Sequence, residues 1–245
     1  MKDLTWLQNE QIAHRGLHSK DLTVPENSML AFKKAMDLGY GIELDLNLLK
    51  DGTLIVFHDH NLKRLTGLDQ TTNNLIYEDI KDLKLNHTNE HIPLLTEVLD
   101  FVNGTVPLLI ELKPFGHTEI FCSTFYELIK NYQGKWAVFS FNPGVVKWFK
   151  RHHPEIIRGQ ITEYFKNNKK MNPLTKRMMK TMFFNRFTKP DFISYGVQDM
   201  PNKYIDKAKQ KGLTIISYVA RNQAQFDFVK SRYHNIVFEY FIPKK

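Results

Sequence analysis

Glu43 and Asp45 stand two residues apart inside the apolar run Gly41-Ile42-Glu43-Leu44-Asp45-Leu46. On a strand that spacing points both carboxylates to one face, opposite Ile42, Leu44 and Leu46. Two carboxylates held together away from water repel each other, and they call for a proton, a cationic side chain or a metal ion. The plain alternative is an edge strand with a solvated face. Glu111, in Leu108-Leu109-Ile110-Glu111-Leu112-Lys113, is a third acid inside an apolar run. Acids are seldom placed there unless paired. Three carboxylates form a hard oxygen cage suited to one divalent cation, Mg2+ or Ca2+. A ligand set poor in histidine and free of cysteine argues against structural zinc.

Two histidines join this group. His14 and His58 each follow an apolar run directly, in Ile12-Ala13-His14-Arg15-Gly16 and Val56-Phe57-His58-Asp59. A lone histidine in such a place is more often structural. Two beside a carboxylate trio read as an acid–base pair, because imidazole titrates near working pH. Arg15 and Lys113 read as anion clamps, the arginine gripping two oxygens at once and the lysine acting as a point charge. Gly16 would let the backbone come close to a ligand. Two histidines, two cations and a divalent metal fit in-line displacement at a phosphodiester.

The elements that must position these residues alternate. Strands are predicted over 11–13, 40–46, 54–57, 107–112, 136–141, 157–161, 192–195, 213–219 and 236–241. Helices are predicted over 27–38, 96–102, 117–132, 143–152, 202–211 and 223–230. Such alternation implies βα units and a parallel sheet. Nine strand-like runs are one more than a barrel of eight needs. The runs on either side of Lys50-Asp51-Gly52 leave no room for a crossover helix, so they form a hairpin. The reading is a (β/α)8 TIM barrel, one domain over residues 1–245. It carries a small insertion after the second strand region and a basic helical insertion near 161–190. An open doubly wound sheet is the competing architecture. The barrel is favoured because His14, Glu43, Asp45, Glu111 and Ser140 all fall at or near strand C-terminal ends, which converge on one face of a barrel.

In bulk, 245 residues with 42% hydrophobic content suit one compact domain. No run approaches the ~20 apolar residues that span a bilayer. The first ten residues lack a secretory signal, and Cys122 is the one cysteine, so no internal disulfide forms. Both point to the cytoplasm. The net charge of +8 is uneven: residues 161–190 hold eight basic residues (Lys166, Lys169, Lys170, Lys176, Arg177, Lys180, Arg186 and Lys189) against Glu163. Such a patch attracts anionic partners. Within it, Leu174, Met178 and Met182 are spaced by four, as are Met179, Phe183 and Phe187, which together predict one broad apolar helix face. The plain reading is a helix packed on the barrel with a basic solvated side. The sharper one is peripheral contact with an anionic membrane. Nucleic acid is disfavoured, since no recognition motif accompanies the charge.

Taken in order, His14-Arg15-Gly16, Pro25-Glu26-Asn27-Ser28, Glu43-Leu44-Asp45, Lys50-Asp51-Gly52, His58-Asp59, Arg64-Leu65-Thr66-Gly67, the run from Ile92 to Leu99, and Glu111-Leu112-Lys113 resemble the glycerophosphodiester phosphodiesterase family over roughly residues 11 to 142. The resemblance implies a TIM barrel that hydrolyses small glycerophosphodiesters to glycerol 3-phosphate and an alcohol. It implies His14 and His58 as the acid–base pair, Glu43, Asp45 and Glu111 as metal ligands, and Arg15 and Lys113 on phosphate. The route usually proposed for such enzymes passes through a cyclic phosphate, formed by attack of the neighbouring glycerol hydroxyl. The C-terminal third departs from the pattern: Tyr218 stands where the family usually has tryptophan at the substrate pocket, and Phe238-Glu239 where it has Thr-Asp. Two rival readings remain, a lipid-cleaving phosphodiesterase of the phospholipase C or D type and a barrel kept as a phosphate-binding module. The second should have lost one of His14, His58, Glu43, Asp45 or Glu111, and all five are present.

Overall fold

The structure, a computed structural model, describes residues 2–244. Its strands are β1 (Ile12–Ala13), β2 (Gly41–Leu48), β3 (Leu54–Val56), β4 (Leu108–Leu112), β5 (Trp136–Ser140), β6 (Arg158–Thr162), β7 (Phe192–Gly196), β8 (Thr214–Ala220) and β9 (Asn235–Phe238). Its helices are α1 (Thr5–Asn9), α2 (Met29–Asp37), α3 (Lys63–Thr66), α4 (Tyr77–Ile80), α5 (Leu95–Val102), α6 (Thr118–Ile129), α7 (Pro143–His152), α8 (Pro173–Lys180), α9 (Asn185–Thr188), α10 (Lys203–Gln210) and α11 (Gln223–Arg232). The chain divides into two compact units, Ile12–Trp136 and a second made of Met1–Gln11 with Ala137–Lys245.

In the first unit β2 runs parallel to β1 on one side and to β4 on the other, with Asp45 opposite Glu111. β3 lies antiparallel to β2, Leu46 opposite Val56, which is the expected hairpin. Its turn places Gly52 at φ 88°, open to glycine without strain. Both faces of β2 are buried from Gly41 to Asn47, as a parallel strand covered on two sides must be. The solvated-face alternative for Glu43 and Asp45 therefore fails. α2 begins where Ser28 Oγ accepts the Ala31 N–H at 3.1 Å, and it buries Ala31, Phe32 and Ala35. After β3 comes the small insertion expected from the sequence. α3 and α4 there enclose a cluster in which Leu62, Leu65, Leu75 and Ile80 are buried with Phe57. Each such side chain contributes roughly 1.5–3 kcal/mol by leaving water.

In the second unit β5, β6, β7, β8 and β9 pair in sequence order, all parallel. Gly159 on β6 has no side chain because the Phe192 ring occupies that space, 2.2 Å from where a Cβ would stand. Within each unit every strand pairing among the described residues but that of β2 with β3 is parallel, and helices separate successive strands outside that hairpin. This is the (β/α)8 barrel class with one extra hairpin strand.

The basic insertion differs from expectation. It is two short helices, because Met182 adopts φ 58° and ends the first. Met179 is buried while Phe183 and Phe187 are exposed, so the four-residue spacing does not build one apolar face. α1, α3 and α4 were not legible as periodic runs, and the last strand stops at Phe238 rather than Phe241.

Candidate active site

All the sequence-derived site residues except Tyr218 fall in the unit 12–136. The chain leaves β1 at Ala13 and turns sharply, with Arg15 at φ 54° and Gly16 at φ 75°. The turn aims the Arg15 backbone N–H at Glu43 Oε2, 3.0 Å away. Gly16 also meets a packing demand: a Cβ there would lie 2.8 Å from the Ala31 carbonyl carbon and 2.9 Å from the Phe32 ring. Gly16 lets the turn press against the first turn of α2.

β2 and β4 bring the three acids together. One carboxylate oxygen each of Glu43, Asp45 and Glu111 lies within 4.8 Å of the others, and all three residues are buried. Lys113, just past β4, places Nζ 2.9 Å from Glu111 Oε1 and 3.2 Å from Asp45 Oδ1. Arg15 Nε lies 3.3 Å from Asp45 Oδ2. His14 Nε2 faces Glu43 Oε2 at 3.9 Å. His58 follows β3, and its Nδ1 meets Asp59 Oδ1 at 2.6 Å.

Charge and burial compete at each group. Burial, and then the charges of Asp45 and Glu111, push the Glu43 carboxyl well above its ordinary range. Burial pushes Glu111 up as well, with Lys113 opposing and Asp45 adding. Burial would also raise Asp45, but Lys113 and Arg15, with His58 and His14 behind them, hold it well below the usual range. Lys113 would lose its proton more easily through burial alone; Glu111 and Asp45 outweigh that and raise it.

With all three ionised, a state that burial and the charges of Asp45 and Glu111 oppose at Glu43, the trio outnumbers the two flanking cations by one negative charge. A divalent cation would reverse that sign and make the site attractive to an anionic phosphodiester. The residues fit such an ion. Oxygen donors from three strand positions are the ligands Mg2+ and Ca2+ prefer, and buried Asp45 Oδ1 accepts no hydrogen bond among the described residues.

Around these groups lies a network that the sequence did not single out. Glu26, buried in the loop before α2, takes Arg15 Nη1 at 2.7 Å and Arg64 Nη2 and Nη1 at 2.7 and 2.9 Å. Asn27, at φ 53°, donates Nδ2 to Asp45 Oδ2 at 2.8 Å. Arg64 Nε also donates to Asp59 Oδ2 at 2.6 Å. A chain of side chains thus runs from Arg15 through Glu26, Arg64 and Asp59 to His58. Only the order of motifs carried these residues; loop residues have no periodicity to read.

Tyr218 lies in the other unit, on β8. There its hydroxyl is 3.3 Å from Glu163 Oε2 and 3.4 Å from the Thr162 carbonyl, and its ring meets Phe141 edge-on at 5.9 Å.

The family model described as the glycerophosphoryl diester phosphodiesterase family matches residues 14–238. A glycerophosphodiester phosphodiesterase of Caldanaerobacter subterraneus subsp. tengcongensis is 34% identical over 162 residues, covering 61% of this chain and 65% of that protein. A lysophospholipase D of Rattus norvegicus is 32% identical over 138 residues, 51% of this chain and 42% of its own length. The chain therefore spans less than two thirds of the length of these curated relatives. Among solved structures, an Oleispira antarctica phosphodiesterase in complex with the product sn-glycerol-3-phosphate matches with a TM-score of 0.79, over 96% of this chain and 94% of that one. The identity there is 22%, and the likeness speaks for the fold.

Proposed function

The chain belongs to the glycerophosphoryl diester phosphodiesterase family, and we propose on that basis that it hydrolyses glycerophosphodiesters to sn-glycerol 3-phosphate and an alcohol. The observation that carries the reading is the buried trio Glu43, Asp45 and Glu111, flanked by Arg15 and Lys113. The trio would hold one Mg2+ or Ca2+, which when bound supplies positive charge to a phosphoryl oxygen.

Lys113 has three N–H donors. Its ammonium lies 2.9 Å from Glu111 Oε1 and 3.2 Å from Asp45 Oδ1, and a donor not directed at Glu111 is the one to meet a phosphate oxygen. Arg15 is oriented for the same anion by Glu26. Asp59 fixes the Nδ1 side of His58, so His58 exchanges protons at Nε2. In the first step the glycerol hydroxyl next to the ester attacks phosphorus. One histidine takes its proton, and the other protonates the departing alcohol oxygen. In the second step water opens the cyclic ester and the two histidines exchange roles. Tyr218 is proposed at the substrate pocket, by its place in the family pattern. Operation in the cytoplasm as one domain over residues 1–245 completes the proposal. Among the described residues no helix is long and apolar enough to cross a membrane.

A second reading, cleavage of lysophospholipid, draws on the likeness to the rat lysophospholipase D. A substrate panel separates the two: glycerophosphocholine, glycerophosphoethanolamine, lysophosphatidylcholine and phosphatidylinositol, each with Mg2+ or Ca2+. Glycerol 3-phosphate released from the first two is expected. Turnover confined to the lipids would overturn the reading. His58→Ala should lower kcat by about 10²–10⁴-fold, and a near-normal rate would remove His58 from the chemistry.

A further inference from the structure

The proposed hydrolysis leaves one large feature unused, the excursion between β6 and β7. Residues 161–190, which make up nearly all of it, carry eight cations against one acid, Glu163. The excursion also exposes three large apolar side chains close together in sequence, Leu174 at 63%, Phe183 at 37% and Phe187 at 52%. Single exposed apolar residues are ordinary; a basic segment that exposes several marks a contact surface.

The local geometry sorts these side chains. Met179 is the buried anchor of α8. At 100° per residue, Leu174 and Arg177 fall on the opposite, solvent side as an i,i+3 pair. Past the break at Met182, the Arg186 guanidinium lies 3.9 Å over the Phe183 ring and 5.5 Å from that of Phe187. Both short helices thus present a cation beside an exposed apolar group. Arginine and lysine stems beside apolar groups suit the boundary between lipid headgroups and acyl chains.

A groove of about 430 Å3 lies along the same helix, lined by Tyr164, Pro173, Lys176, Arg177, Lys180 and Tyr204. No acid lines it. The nearby buried Asp199 is paired with Lys166 at 2.8 Å, and the Lys180 ammonium sits 4.9 Å over the Tyr164 ring. Three cations, two phenols and no acid make a site for a phosphate group.

We infer that this excursion docks the protein on an anionic phospholipid bilayer. The groove takes a lipid phosphate, and Leu174, Phe183 and Phe187 enter the headgroup–acyl boundary. The occupant is a bilayer rather than a polyanion such as RNA, because the same excursion exposes Leu174, Phe183 and Phe187, with Arg186 stacked on Phe183, and a polyanion leaves such apolar groups uncovered. Attachment is to the surface, since α8 and α9 are far too short to span a membrane.

The test is co-sedimentation of the full chain with vesicles of phosphatidylcholine alone and of phosphatidylcholine mixed with phosphatidylglycerol, at low and high salt. Pelleting with the mixed vesicles, weak at high salt and absent with the neutral ones, is expected. Each cation near an anionic surface contributes about fivefold in partitioning, so K176Q/R177Q/K180Q should weaken binding roughly a hundredfold. L174S/F183S/F187S should weaken it as well, while the three cations remain. Both variants change groups outside the proposed catalytic centre, and unaltered circular dichroism and unaltered glycerophosphocholine turnover serve as controls. Absence of pelleting, equal pelleting with both vesicles, or pelleting unaffected by either variant would overturn the inference. So would retention by RNA at a salt concentration where mixed vesicles are not bound.

Discussion

Glu26→Gln removes one negative charge from a buried place and leaves two guanidinium groups facing an amide. Glu26 is 8% exposed and accepts three short N–H bonds, one from Arg15 and two from Arg64. Glutamine offers one acceptor oxygen and turns its NH2 toward guanidinium donors. A hydrogen bond to a charged group contributes about 1.5–3 kcal/mol. Arg15 is buried but keeps Asp45 at 3.3 Å, so it loses part of its pairing. Arg64 is 45% exposed, and solvent screens its share to ~0.5–1 kcal/mol. Together these give a loss of about 2–3 kcal/mol at neutral pH. The sign of the pH dependence follows from the carboxyl. Burial would raise it, but the bonds from Arg64 and the charge of Arg15 outweigh burial and hold it below its ordinary value. Its contribution is therefore complete above the unfolded value of about 4.3 and fades as pH falls through the folded one. Urea unfolding of parent and variant, followed by circular dichroism, should give that gap at pH ~7 and a smaller gap at pH ~3.5. A variant within ~0.5 kcal/mol of the parent at neutral pH, or a gap that stays constant in acid, would refute the reasoning.

Asp59→Asn should lower kcat by about 10–100-fold with KM nearly unchanged, because Asp59 bonds the Nδ1 side of His58 and is proposed to act through it; Asp59→Glu should restore part of the rate, and loss in KM alone would contradict the assignment. Cys122 is buried, and burial with the nearby Glu119 charge pushes its thiol up to about 12. A disulfide reagent at pH ~8 should leave it unmodified in the native chain and find one thiol per chain after unfolding; rapid native labelling would show that α6 opens.

The sequence displayed the fold where burial leaves a pattern. β2 and β4 are apolar runs whose only charged members are Glu43, Asp45 and Glu111, and the structure brings those three together. The hairpin was readable because Asp51-Gly52 leaves too little chain for a helix. Residues that act from loops were not readable in this way. Glu26 and Arg64 meet across 38 positions, and no spacing rule predicts that. The excursion after β6 misled for a different reason: Met and Phe at helical spacing look continuous, while a single left-handed Met182 ends the helix. At Gly16 the sequence shows a residue without a side chain but not the neighbour that needs it, the first turn of α2.

Removal and return of metal tests the central claim most directly. Glycerophosphocholine would be followed by phosphorus NMR with the purified chain, first stripped with EDTA and then given Mg2+ or Ca2+. Glycerol 3-phosphate should appear only after the cation is returned, because the proposed site holds that cation between Glu43, Asp45 and Glu111, whose carboxylate oxygens lie within 4.8 Å of one another. Full-rate hydrolysis in EDTA, or none with either cation, would contradict it.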